Sequence, residues 1–141
     1  MDRRNESSSA ITYTSGRPPV QARSSVTELS LTPSIGGAGE LVISANDRRI
    51  SVDANGDFEV TLNAGESIRF TMVDSFSDGG TTYDMSAVDG TSSTWSSGSG
   101  EIYGPTYSAA TSYTTTFTAT PQTGGSAKTK NKAITINDGG K

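Results

Sequence analysis

The stretch Asn55-Gly56-Asp57-Phe58-Glu59-Val60-Thr61-Leu62-Asn63 carries the plainest structural signal in this 141-residue chain. Phe58, Val60 and Leu62 alternate with Asp57, Glu59, Thr61 and Asn63. Successive side chains of a strand point to opposite faces, so this spacing makes a strand with one buried and one wet face. Asn55-Gly56 ahead of it predicts a two-residue type I′ hairpin, whose central residues both need positive φ. Upstream of that turn, residues 48–53 place Ile50 and Val52 inward, and residues 40–45 (ELVISA) form an apolar strand stopped by Asn46-Asp47. Residues 26–31 read as a short first strand, ended by Thr32-Pro33 and Gly36-Gly37.

Downstream the same grammar continues. Ala64-Gly65-Glu66 turns, and residues 67–73 alternate Ile68, Phe70 and Met72. Residues 74–80 (DSFSDGG) read as a loop, residues 81–88 as a strand with Tyr83 and Met85 on one face, and residues 89–100 as a small-residue loop around the only Trp, Trp95. Residues 113–119 alternate Tyr113, Thr115, Phe117 and Ala119; residues 121–125 turn; residues 127–137 end the fold, with Ile134 and Ile136 inward. No amphipathic helix appears. Short strands separated by Gly, Asn, Asp and Pro turns predict an all-β antiparallel sandwich. Its predicted core is Leu41, Ile43, Ile50, Val52, Phe58, Val60, Leu62, Ile68, Phe70, Met72, Tyr113, Phe117, Ile134 and Ile136.

Composition agrees with a thin core. Hydrophobic residues make up 31% of the chain, and antiparallel sheets bury only alternate positions. Residues 1–25 are Ser- and Arg-rich, contain Pro18-Pro19 and lack a sustained period, so they read as an extended N-terminal arm on a domain spanning residues 26–141. The net charge of −4 is segregated. The arm holds Arg3, Arg4, Arg17 and Arg23 against Asp2 and Glu6, a balance of +2. Residues 26–120 carry a balance of −9, and residues 121–141 carry +3 through Lys128, Lys130, Lys132 and Lys141 against Asp138.

The stretch 65–93, GESIRFTMVDSFSDGGTTYDMSAVDGTSS, resembles the first half of a polycystic-kidney-disease-type (PKD) domain. The stretch 104–136, GPTYSAATSYTTTFTATPQTGGSAKTKNKAITI, is similar to the second half, and residues 29–39 (LSLTPSIGGAG) would serve as its opening strand and turn. The resemblance implies an immunoglobulin-like sandwich. The chain departs from the family at residues 83–90, which keep Asp89-Gly90 but lack the family's buried Trp and Phe-Gly-Asp-Gly. The hairpin of residues 40–63 would be an addition. Such sandwiches serve as spacers, adhesion modules and capsid decorations, and fold alone does not choose among them.

Several constellations bear on chemistry. The chain has no Cys and no His, so thiolate nucleophiles, Cys-based zinc sites and Ser-His-Asp arrangements are absent. No phosphate loop or other catalytic signature is present. Asp74, Asp78, Asp84 and Asp89 cluster in sequence, but acidic Gly-rich loops are usually solvated turns, and no metal or other cofactor is expected. Trp95, Tyr103 and Tyr107 would either stack on sugars or plug one end of the sandwich, and the plug is the favoured reading. The C-terminal Lys residues read as protection of an edge strand, not as a nucleic-acid surface, since no aromatics interleave with them.

Residues 1–19 contain no apolar core of a signal peptide, and no stretch approaches the ~18 apolar residues of a membrane span. The expectation is a non-enzymatic virion structural protein, assembled in the host cytoplasm and placed on the capsid exterior. It would be a bacteriophage head decoration (cement) protein, or next a neck or tail accessory, present in multiple copies. Its partner would be the major capsid protein or a neighbouring virion subunit, with no nucleic acid and no membrane bound. The docking residues are predicted to be Arg3, Arg4, Ile11, Tyr13, Arg17, Val20 and Arg23, which order on contact. The alternative is an adhesion or carbohydrate-binding module of a larger secreted protein.

Overall fold

Alternating apolar residues organise the described part of the chain into twelve strands. The computed structural model describes residues 26–90 and 93–139; the expected arm, 1–25, lies outside them. The strands are β1 (Val26–Ile35), β2 (Leu41–Ala45), β3 (Ser51–Val52), β4 (Phe58–Leu62), β5 (Ser67–Val73) and β6 (Ser75–Asp78). They continue as β7 (Thr81–Asp89), β8 (Ser93–Thr94), β9 (Ser96–Gly98), β10 (Glu101–Tyr103), β11 (Thr111–Pro121) and β12 (Lys128–Asp138). Every named element among the described residues is a strand.

One sheet has the order β2-β1-β5-β10-β9; the other runs β3-β4-β12-β11-β7-β6, with β8 added against β7. The two enclose a single core, as in a β-sandwich. The first sheet contributes Leu29, Leu31, Leu41, Ile43, Ile68, Phe70, Met72 and Ile102. The second contributes Phe58, Val60, Leu62, Tyr83, Met85, Ala87, Phe117, Ala119, Ile134 and Ile136.

The sandwich is not purely antiparallel. β1 runs parallel to β5, and β4 runs parallel to β12. Parallel neighbours need a crossover between them. Here β2, β3 and β4 separate β1 from β5, and β4 meets β12 only after the rest of the chain has passed through both sheets. Segment 40–63 is therefore no appended hairpin: β2 extends one sheet while β3 and β4 build the edge of the other.

Four local expectations are corrected. β1 continues through Pro33, because Gly36 N donates to Glu40 O and Asn46 N to Ser30 O. Even-numbered β1 residues thus carry the ladder, and Pro33, opposite Ile43, sits where no N–H is needed toward β2. Residues 48–53 are mostly a turn, with the Asp47 carboxylate accepting from Arg49 N at 2.9 Å and Asp47 O from Ile50 N at 3.0 Å. Ile50 reaches the core from that turn, whereas Val52, on a two-residue outermost strand, is 55% exposed.

The Asn55-Gly56 turn is a three-residue loop, not type I′. Gly56 alone has positive φ there, and Asp53 Oδ1 accepts from the backbone N–H groups of Asn55 and Asp57. The type I′ hairpin falls instead at Gly79-Gly80, both at positive φ, where Asp78 pairs with Thr81. This makes a strand, β6, of the expected loop 74–80, with Phe76 stacked on Tyr83 at 5.2 Å.

Of the predicted core, Val52 is exposed and Tyr113 is only partly buried; the others are buried. Phe117 is fully buried at the centre of the second sheet. Phe117→Ala is expected to cost about 3–5 kcal/mol in urea denaturation. Val52→Ala should shift stability by no more than about 0.5 kcal/mol.

Candidate functional site

Strand alternation decides where the acidic residues go. In β7 the residues in phase with Tyr83, Met85 and Ala87 face the core, so Asp84 points out and Asp89 points in. Asp84 accepts from Gln122 Nε2 at 2.7 Å, and Asp78 sits at the β6–β7 turn. The four carboxylates do not converge, and among the described residues no group of three or more acidic side chains could hold a metal ion.

Asp89 is 6% exposed and is met by three donors. Trp95 Nε1 and Thr115 Oγ1 each donate to Oδ1 at 2.7 Å, and Tyr107 Oη donates to Oδ2 at 2.5 Å. These donors come from the residue between β8 and β9, from the loop after β10 and from β11. One carboxylate thus ties three separate segments to the end of β7. The Trp95 indole meets Phe117 edge-on at 5.4 Å, and Tyr107 stacks on Tyr113 at 4.8 Å. Gly104 lets the chain pass the indole, since a Cβ there would lie 3.0 Å from its ring.

Burial, reinforced by the hydrogen bond to Asp89, holds the Tyr107 hydroxyl well above the usual phenol range. Burial, with the Asp89 and Tyr107 charges behind it, does the same to Tyr113. Both phenols therefore stay protonated, which suits Tyr107 as a donor and gives neither ring the character of a base or nucleophile.

The aromatics singled out in the sequence are engaged within the protein. Trp95 is buried and serves as the plug. Tyr103 donates to Gly98 O at 3.0 Å, and the Arg69 guanidinium lies 4.6 Å from its ring centroid while pairing with Glu28.

A second polar knot joins loops at another corner. Arg49 donates through Nη1 and Nη2 to Glu66 Oε2 and Oε1 at 2.5 and 2.7 Å, and through Nη2 to Thr61 O at 2.7 Å. Glu66 also accepts from Asn63 N and Thr27 Oγ1, both at 2.9 Å. The Arg49 fork and these donors bring the Glu66 carboxyl down to about 2.

The lysine reading is half corrected. β12 lies inside its sheet, between β4 and β11. β4 pairs only with Ile134–Asp138, so among the described residues no strand covers the other side of Lys128–Lys132. Lys132 turns inward, 9% exposed, donating to Gly56 O at 2.6 Å over the Phe58 ring.

Among the described residues, sheet edges lie at β3, β6, β9 and β2, with the two-residue β8 also laid against β7. The first three are short, at two, four and three residues; β2 has five, with no charge and no proline. Even-numbered residues of β2 bond to β1, so the N–H and C=O groups of Leu41, Ile43 and Ala45 point away from the sheet. The exposed apolar residues Val26, Val52 and Val73 lie on different strands and form no common patch.

The predicted docking residues Arg3, Arg4, Ile11, Tyr13, Arg17, Val20 and Arg23 all fall outside the described residues. Sequence reasoning missed the Asp89 knot, although its signal was present: Asp89 continues the inward phase of Tyr83, Met85 and Ala87. No protein-family model matches the chain, and no curated protein matches it.

Asp89→Ala would leave three donors, two of them buried, without their acceptor. It is expected to cost about 3 kcal/mol or more, read from urea unfolding followed by fluorescence of the single Trp. Glu66 gives a pH dependence. Its folded pKa, about 2, lies below the unfolded ~4.3, so the unfolded chain binds more protons between these values. Its contribution is complete above the unfolded value and is lost as pH falls toward 2. Glu66→Gln should flatten the fall in thermal midpoint across that window.

Proposed function

We propose that this chain is a non-enzymatic structural protein of a virion, a head decoration protein of a bacteriophage assembled in the host cytoplasm, and that its body is an immunoglobulin-like sandwich of the PKD kind. The order β1-β5-β10-β9 against β7-β11-β12 follows the A-B-E-D and C-F-G sheets of that architecture. The parallel pairing of β1 with β5 is its main departure.

The observation that carries the functional reading is the separation of charge. Residues 1–25 are basic by +2, while residues 26–120 are acidic by −9. Among the polar groups of the body, Asp89 accepts from Trp95 and Tyr107 and Glu66 pairs with Arg49, so that both carboxylates hold loops. What remains for an outside partner is the arm and the sheet edges. The arm would dock on the major capsid protein or a neighbouring subunit, and the acidic body would face solvent, where like charge keeps particles apart.

Exposed ion pairs are worth only about 0–1 kcal/mol each and are screened by salt. Affinity therefore rests on burial of Ile11, Tyr13 and Val20 and on backbone hydrogen bonds, with Arg3, Arg4, Arg17 and Arg23 steering the approach. Deleting residues 1–25 should leave the thermal midpoint of the body nearly unchanged and abolish its binding to particles that lack it. Replacing Ile11 and Tyr13 by Ser should weaken that binding more than replacing any two of the arginines by Ala. Undiminished binding by the truncated chain would overturn the reading.

A further inference from the structure

The edge of β2 is unlike the others. Leu41, Val42, Ile43, Ser44 and Ala45 offer an uncharged run with no proline, and three residues direct both backbone groups outward. Natural sheet edges of this kind are normally shortened, charged or covered, because they template another strand. β3, β6 and β9 are the shortened kind, and Lys130 and Lys132 guard the open half of β12. β2 is longer than β3, β6 and β9 and uncharged, and among the described residues no strand is hydrogen-bonded to its outer side. Its side chains Leu41 and Ile43 lie in the core at 1% and 3% exposure, so a strand laid beside it would extend the core past the sheet's present edge.

Resting on the arm-docking reading above, we propose that the neighbouring subunit is a second copy of this chain and that residues 9–14 of one copy add as a strand to the β2 edge of the next. Three features select this occupant. Ala10-Ile11-Thr12-Tyr13-Thr14 alternates apolar and hydroxyl side chains over five residues, the length of β2, with Ile11 and Tyr13 in phase to lie beside Leu41 and Ile43. Glu40 and Asp47 flank the two ends of β2, so Arg17, three residues past Thr14, approaches a carboxylate whichever way the strand runs. Between Thr14 and Val26 lie eleven residues that include Pro18-Pro19. Fully stretched, eleven residues reach at most ~36 Å, enough to carry the segment from β1 to a neighbour. Donor and acceptor surfaces differ, so the contact is head-to-tail and closes into a ring where the rotation permits.

The test uses the full chain throughout. Sedimentation equilibrium should show the mass rising about twofold or more with concentration, while the amides of Leu41, Ile43 and Ala45 gain protection from hydrogen exchange. Ala45→Pro removes an outward N–H without touching a bond to β1, and Ile11→Pro/Tyr13→Pro disables the arm without touching the body. Each variant alone should stay monomeric. Mixed, they should form a one-to-one complex, because one supplies the arm and the other the edge. A wild-type chain that stays monomeric, an arm variant that associates like wild type, or variants that do not complement would each overturn the proposal. So would a monomeric chain whose stability falls when the arm is disabled, since its arm would then lie on its own β2. Particle binding separates the two readings: a monomeric chain that still needs its arm for particles sinks only the self-association.

Discussion

A carboxylate withdrawn from water must receive its hydrogen bonds from the protein, and at Asp89 that requirement organises one whole region of the fold. The three donors that meet it lie 6, 18 and 26 residues away in sequence. Satisfying it therefore brings Trp95, the Tyr107 loop and the centre of β11 to one place. Each bond is charge-assisted, which makes it stronger than a bond between neutral groups. The same convergence carries the indole onto Phe117 and leaves little room for a side chain at position 104. A core built from so few apolar residues gains a defined end where hydrophobic contact alone would leave short, slippery segments.

The Arg49–Glu66 pair acts by the same logic at another corner. It joins the turn after β2, the end of β4 and the start of β1, which belong to different sheets. Together the two knots hold loops of the sandwich without disulfides, in a chain that has no Cys. In the proposed reading, recognition is left to backbone groups at a sheet edge and to the basic arm. An edge contact gives affinity through main-chain bonds and specificity through alternate side chains, a division of labour suited to a repeating assembly.

Much of this was legible in the chain itself. The alternation in residues 58–62 and 67–73 marks strands and their inward members, because side-chain direction along a strand is a local, period-two property. Leu29, Leu31 and Ile102 went unmarked as core. β1 runs on through a proline that the ladder happens to tolerate, and β10 is only three residues long, too short to show a period. Asn55-Gly56 and Gly79-Gly80 exchanged turn types because the Asp53 carboxylate caps the first loop, a side-chain bond that a dipeptide rule does not contain.

Composition and period alone determine the all-β class, the identity of most core residues and the separation of acidic body from basic ends. Those features are written residue by residue and need no partner. Which strands become neighbours is different. The parallel pairings of β1 with β5 and of β4 with β12, the burial of Asp89, and the open edge of β2 arise only when segments tens of residues apart meet. Such meetings are chosen by the joint requirement that every inward side chain share one core and every buried polar group find its partner, and no single stretch of sequence states that requirement.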